Sequence, residues 1–409
     1  MIVSYFVILF VLICFAYQKH KCVLHPFIIT ASIWFLLHLS YEIFASIYPR
    51  IPHLSPLAYS YIALYLLVFF VVSELIIRKR VKLRLKKIVN APKILNGRVK
   101  FCFYFIFLCN LFLIFRFMIF TGQYNILGVI SKFRAMVTSS VPIPIDMKLL
   151  FYIFNLTFVL LIYYYLYRPR INPYLKIAVI LEFGIILLCI STKGKLLKYI
   201  VAVLVLLYVK RKLTPKIMLY FLIFGVGAVV LLVLIRDAAF FKTGYYSLAD
   251  YLYIYVLTPF PSLDLLIHGH VPFTTEPIGG RTLVFFYRIL NVFTHIELPD
   301  DRPGTMFLTV QGPNVALPTN VYTSLGNFYM DWGWIGIVFY AVLCSLLFSI
   351  LYKNINRRFF LFVYVLTIFS LVFNFFGDFC FQFFSMTIQD IVAVLVVFSF
   401  RKVRKPIKV

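Results

Sequence analysis

The residues able to do chemistry concentrate in one stretch, Arg236 to Asp331. Eight of the 14 acidic residues of the chain lie there: Asp237, Asp250, Asp264, Glu276, Glu297, Asp300, Asp301 and Asp331. So do His268, His270 and His295, and Arg236, Arg281, Arg288 and Arg302. Guanidinium groups grip two oxygens at once, so Arg281 and Arg288, two helical turns apart in RTLVFFYR, suit a diphosphate if they share a helix face. His295, Glu297 and Asp301 supply imidazole and carboxylate bases for deprotonating a hydroxyl, and Asp237 is a further candidate. Arg236–Asp237 reads equally as a boundary ion pair. Asp300–Asp301 is followed by Arg-Pro-Gly with no partner cluster, and His268 and His270 flank Gly269 in a turn. No metal site is expected from either.

Further cations lie outside the stretch. STKGK, Ser191 to Lys195, reads as a tight turn in which Gly194 frees backbone N–H groups for an anion beside Lys193 and Lys195; Lys198 follows. Arg116 lies one turn inside the end of an apolar run, where it can snorkel to water. Lys132 and Arg134 sit in NILGVISKFRAMV, whose apolar spacing predicts an interfacial helix. Glu42, Glu182 and Asp390 fall within apolar runs. Glu182 is near the middle of its run, where an unpaired carboxylate costs about 2.5–3.5 kcal/mol on insertion scales.

These groups need elements to hold them, and composition says which. The chain of 409 residues is 63% hydrophobic and only 13% charged, where a soluble domain carries about 25% charged residues. The formal charge of +26 does not point to nucleic acid, because the basic residues form short clusters between apolar runs, as topology signals and anionic-lipid contacts do. Seven cysteines without a CxxC pair give neither a disulfide frame nor a metal site. The N-terminal run carries its charge at the far end, unlike a secretory signal, and reads as an uncleaved first span.

Runs long enough to cross a bilayer predict about eleven spans, near 2–17, 26–47, 55–77, 101–120, 148–167, 174–191, 196–209, 217–235, 332–351, 359–376 and 385–400. With the N-terminus outside, the cytoplasmic connections hold 27 of the 40 Lys and Arg residues, as the positive-inside rule requires. The C-terminus is then cytoplasmic, and the Arg236–Asp331 loop and a shorter one from Thr121 to Met147 face outward. The expected layout is a bundle over 1–235, a large outer loop with short helices over 236–331, and closing spans over 332–409. SLADYLYIYVLTPFPSLDLLIH, within the loop, reads as a helix lying at the interface. The halves show no repeat of the inverted-transporter kind.

One motif carries a family resemblance. TNVYTSLGNFYMDWGWIGIVFYAVL, Thr319 to Leu343, resembles the signature of Wzy-type oligosaccharide repeat-unit polymerases: an Asn, an aromatic approach, then Tyr-x-Asp-x-Gly-x-x-Gly at the entry to a late span. The residues here are Asn320, Tyr329, Asp331, Gly333 and Gly336. Read physically, the two glycines let helices approach closely, and Trp332 and Trp334 anchor at the interface. The resemblance extends to the basic outer turn at Lys193 and Lys195, to Arg236 closing the span before the large loop, and to Arg281 within it. It implies an all-helical, GT-C-like glycosyltransferase of the bacterial inner membrane, needing no metal or other cofactor. Its substrates would be oligosaccharides linked to undecaprenyl diphosphate, and a chain-length regulator would be a partner. Arg116, Arg134 and Arg288 join the expected substrate-binding set. An O-antigen ligase, acting on lipid A core, shares this layout; a lipid-linked oligosaccharide flippase or transporter is the rival of another class.

Overall fold

The computed structural model describes residues 2–83, 96–138, 141–190, 193–220, 227, 250, 253–254, 256–269, 279–294, 308–319, 321–381 and 384–399. Among them the chain is mostly helical. In chain order the helices are α1 (Ile2–His20), α2 (Pro26–Ile47), α3 (Pro56–Ile76), α4 (Asn96–Thr121), α5 (Ile126–Thr138), α6 (Ile145–Tyr167), α7 (Pro173–Ile190), α8 (Lys193–Val209), α9 (Pro259–Ile267), α10 (Val284–Thr294), α11 (Thr323–Lys353), α12 (Arg358–Thr367), α13 (Phe369–Val372) and α14 (Phe384–Phe398). Seven are long and apolar enough to cross a membrane: α1, α2, α3, α4 from Gly97, α6, α7 and α11. This is the architecture of a multi-pass helical membrane protein.

The starts of these helices follow from local chemistry. Pro26 and Pro56 occupy first-turn positions, where the missing N–H costs nothing. Ser55 caps α3, its hydroxyl accepting from the Ala58 amide at 3.1 Å. The span expected at 359–376 is instead divided into α12 and α13. The polar group beyond α13 is used for packing: buried Asn374 accepts from the Trp34 indole (2.7 Å), donates to the Tyr65 hydroxyl (2.8 Å), and its carbonyl accepts from the Ser324 amide (2.8 Å). The span expected at 217–235 lies almost wholly outside the described residues.

The chain forms two compact units. The first draws on Met1–Lys82, Ala239–Ile355 and Thr367–Thr387, the second on Leu83–Ala238, Asn356–Leu366 and Ile388–Val409. In the first, α11 runs along α3, with Tyr65 and Tyr340 stacked at 5.7 Å and Ser349 bonded to Ser73 at 3.2 Å. In the second, α4, α6 and α7 pack together and α5 lies against α4 and α7. The α5 helix expected from its spacing is present, and it buries Val129, Ile130 and Phe133 in that core rather than presenting them to lipid.

The loop expected to be helical holds one surprise and one correction. Leu308–Gln311 and Ala316–Thr319 pair antiparallel, Leu308 opposite Thr319 and Gln311 opposite Ala316, as a small β-hairpin. Helix α9 does not lie on the surface. Its residues from Pro259 to Leu263 are buried, and Phe260 inserts among Trp34 (5.8 Å), His38 (4.4 Å) and Tyr41 (6.1 Å). Two prolines in its first turn start the helix rather than break it.

Candidate functional site

The motif at Asp331 is a break in a helix. Within α11, Trp332 (φ −141°, ψ 15°) and Gly333 (φ 59°, ψ −145°) leave helical geometry. A side chain is strongly disfavoured at the Gly333 angles. Gly336 then lets the second half of the helix close onto the first: a Cβ there would lie 2.0 Å from the Phe328 carbonyl oxygen. The close approach expected of both glycines is made by Gly336, within this broken helix, and not by Gly333.

Asp331 sits at this break and ties down the loop. Its carboxylate accepts from the Thr282 hydroxyl (2.7 Å), the Thr282 amide (2.9 Å) and the Arg281 amide (3.4 Å). Arg281 is 6% exposed as a residue, and its guanidinium reaches Met330 Sδ. The acid of the motif thus holds the turn carrying Arg281 through its backbone, and the guanidinium lies against Met330. Arg281 and Arg288 do not share a helix: α10 begins at Val284, and Arg281 lies in the turn before it. Tyr329 donates to the Ile267 carbonyl (3.3 Å), and its ring lies tilted beside that of Tyr61 (5.7 Å).

The same end of the first unit carries a dyad that sequence reasoning missed. Glu42 Oε2 lies 2.6 Å from His53 Nδ1, and Glu42 Oε1 accepts from the Tyr59 hydroxyl at 2.5 Å. A carboxylate on Nδ1 selects the tautomer whose lone pair is on Nε2. The His53 side chain is 55% exposed, so that nitrogen has solvent access. The loop carrying it is fixed from both sides. Tyr41 donates to the Pro52 carbonyl (2.6 Å), and Asp264 of α9 accepts from the Ser55 amide (2.9 Å) and hydroxyl (2.5 Å). His268 packs back on Asp264, 3.2 Å from its carboxylate. Arg50 donates to the Asn314 carbonyl, and Asn314 is gripped by Asp250 through its amide (3.0 Å) and side chain (2.9 Å).

Among the described residues, the second unit holds two ion pairs. Arg116 meets Asp146 through Nε (2.5 Å) and Nη2 (3.2 Å), so the arginine expected to snorkel has a partner. Lys198 meets Asp390 at 2.5 Å, both nearly buried. Lys193 opens α8 and Lys195 lies in its first turn, with Nζ 5.8 Å from the Phe151 ring centre. The tight turn expected over Lys193 to Lys195 is helical instead. Glu182 is buried, and its carboxylate lies beside Asn110, which bonds Thr157 at 3.3 Å.

Of the expected site, Arg281 and Asp331 come together, while the Tyr329 side chain goes to Ile267 and Tyr61. Arg134, Lys193 and Arg288 are placed on α5, α8 and α10 through their backbone. Arg236, Asp237, His295, Glu297, Asp301 and Asn320 lie outside the described residues. Glu42 stood out in sequence as an acid in an apolar run; His53, eleven residues on, carried no such signal.

These arrangements belong to a membrane protein built to hold a polar loop at the ends of its helices. No family model, curated protein or solved structure matches the chain.

Proposed function

We propose that this chain is an oligosaccharide repeat-unit polymerase of the Wzy type, a GT-C-like bundle of about eleven spans in a bacterial inner membrane, with its N-terminus and large loop outside and its C-terminus in the cytoplasm. The donor is a glycan on undecaprenyl diphosphate and the acceptor a lipid-linked repeat. The acceptor hydroxyl attacks the donor's anomeric carbon, a new glycosidic bond forms, and the bond to the diphosphate oxygen breaks. Negative charge grows on the leaving diphosphate, where a fixed cation acts most strongly. Arg281 is our assignment for that cation, and the hydroxyl proton goes to His53 Nε2, with Glu42 stabilising the imidazolium.

The observation that carries this reading is the motif at the helix break. Asp331 holds the turn of Arg281 at the end of the unit where the Glu42–His53 dyad also lies. The test is the glycan ladder made by cells whose own copy is replaced. Arg281→Ala is expected to leave single repeats with the protein still in the membrane. A normal ladder would reject the assignment, and accumulation of long lipid-linked polymer would redirect the reading to a ligase. His53→Gln is expected to slow polymerisation of purified lipid-linked repeat by about 100-fold or more, the usual size of a general-base contribution. Because His53 is largely exposed, its protein level should match the parent. An unchanged rate removes His53 from the reaction.

A further inference from the structure

The opposite end of the first unit holds a second cluster, built from three elements. His20 closes α1; Lys21 (φ 46°) then turns the chain, its amide bonded to the Tyr17 carbonyl. His25 stands at the N-cap of α2 without making a side-chain cap bond. Glu74 lies in the last turn of α3. The two imidazoles are fully buried and stacked, centres 4.3 Å apart and planes 18° apart. Glu74 Oε1 faces both, 2.8 Å from His20 Nε2 and 4.0 Å from His25 Nε2.

Hydrogen bonding accounts for little of this arrangement. His20 Nδ1 and both ring nitrogens of His25 are buried without a hydrogen-bond partner among the described residues. Burying such groups unpaired is costly. Two stacked imidazoles thus turn their Nε2 atoms toward one carboxylate oxygen.

We propose that His20, His25 and Glu74 bind a divalent transition-metal ion, with zinc the best match. Two imidazoles and one carboxylate form an established zinc donor set. Calcium and magnesium prefer oxygen ligands throughout, and this set has two nitrogens. The geometry is close. Tetrahedral ligands of zinc stand about 3.3 Å apart, and the distances of 2.8 and 4.0 Å bracket that value. One ligand atom from each residue can be chosen so that all lie within 4.8 Å of one another. Lys19 takes Glu74 Oε2 at 2.5 Å, which leaves Oε1 as a single ligand oxygen and fixes its direction, as outer contacts do in metal sites. Water completes the tetrahedron. The ion would join the end of α1, the start of α2 and the end of α3.

The proposal does not rest on the polymerase reading, and metal binding tests it directly. The full chain is purified in detergent with a tag free of histidine, stripped with chelator, and titrated with Zn2+ alone. One equivalent should bind and raise the thermal midpoint, and Co2+ should give the intense visible absorption of a tetrahedral site. Losing an outer contact costs 10–100-fold in affinity, so losing a ligand in His25→Gln or Glu74→Gln should weaken binding by about 100-fold or more. Glu74→Gln keeps the side-chain shape and decides the matter if His25→Gln fails to fold. His268→Gln, at the other end of the unit, should bind as the parent does. No uptake by monodisperse parent protein would mean a metal-free His20–Glu74 ion pair and would overturn the proposal, as would undiminished binding by Glu74→Gln.

Discussion

Gly336→Ala is expected to remove most of the folded protein from the membrane. The added methyl would lie 2.0 Å from the Phe328 carbonyl oxygen, 2.7 Å from its carbon and 3.2 Å from Trp332 Cβ. The first two are backbone atoms, so rotating a side chain relieves neither. Nor can Phe328 retreat easily: its ring packs on Tyr340 at 4.5 Å and lies near Trp332 at 5.8 Å and Phe381 at 6.3 Å. Overpacking a core with room to adjust costs about 1–3 kcal/mol; a contact this short against backbone should exceed that range. Gly333→Ala isolates the other half of the device. Nothing lies within 4 Å of its missing Cβ, so its cost is conformational alone, about 1–3 kcal/mol. Gly184→Ala in α7 also meets nothing within 4 Å and should be harmless. Detergent-solubilised yield and thermal midpoint would rank them Gly184, Gly333, Gly336 in order of damage. A Gly336→Ala protein as stable as the Gly184→Ala control would show that the helix break does not require this approach.

Lys198→Met should destabilise the second unit by about 3–5 kcal/mol, the range for a buried pair that loses one member. Asp390 is 6% exposed and its carboxylate lies 2.5 Å from the ammonium. Without that partner it must ionise with no direct ammonium contact or take a proton, and either is unfavourable in this setting. The double variant Lys198→Met/Asp390→Leu removes both charges and should recover most of the loss, since apolar replacement of a whole buried pair is often neutral. Arg116→Met is the comparison. Asp146 has a side chain 44% exposed, so water takes over from the arginine, and the loss should be small beside that of the buried pair. Thermal midpoints of the four proteins decide it. If Lys198→Met and Arg116→Met cost the same, burial of the Lys198 pair does not set its strength.

What could be read from the residues in order is what depends on short windows. A bilayer-length apolar run declares a helix wherever it occurs, so α1 to α4, α6, α7 and the half of α11 beyond its break are each legible, while the half from Thr323 to Asp331 falls in the expected loop. Tyrosine, acid and glycine at fixed short intervals likewise mark the segment around Asp331. The role of its glycines was not legible. That Gly333 leaves the helical region and Gly336 closes on Phe328 depends on where the chain goes next.

The pairings belong to tertiary structure. Ser55 finds Asp264 across 209 residues, Lys198 finds Asp390 across 192, and His20 finds Glu74 across 54. In each case a polar group in an apolar setting gains by meeting any complementary partner, so chemistry demands that a partner exist without naming it. Packing of the helices chooses which. The sequence by itself determined that this chain is a helical membrane protein with a polar loop and an acidic, glycine-marked segment at Asp331. Only the folded arrangement decided that Asp331 holds the turn of Arg281 and that Glu42 orients His53, because those contacts depend on which helix ends are brought together.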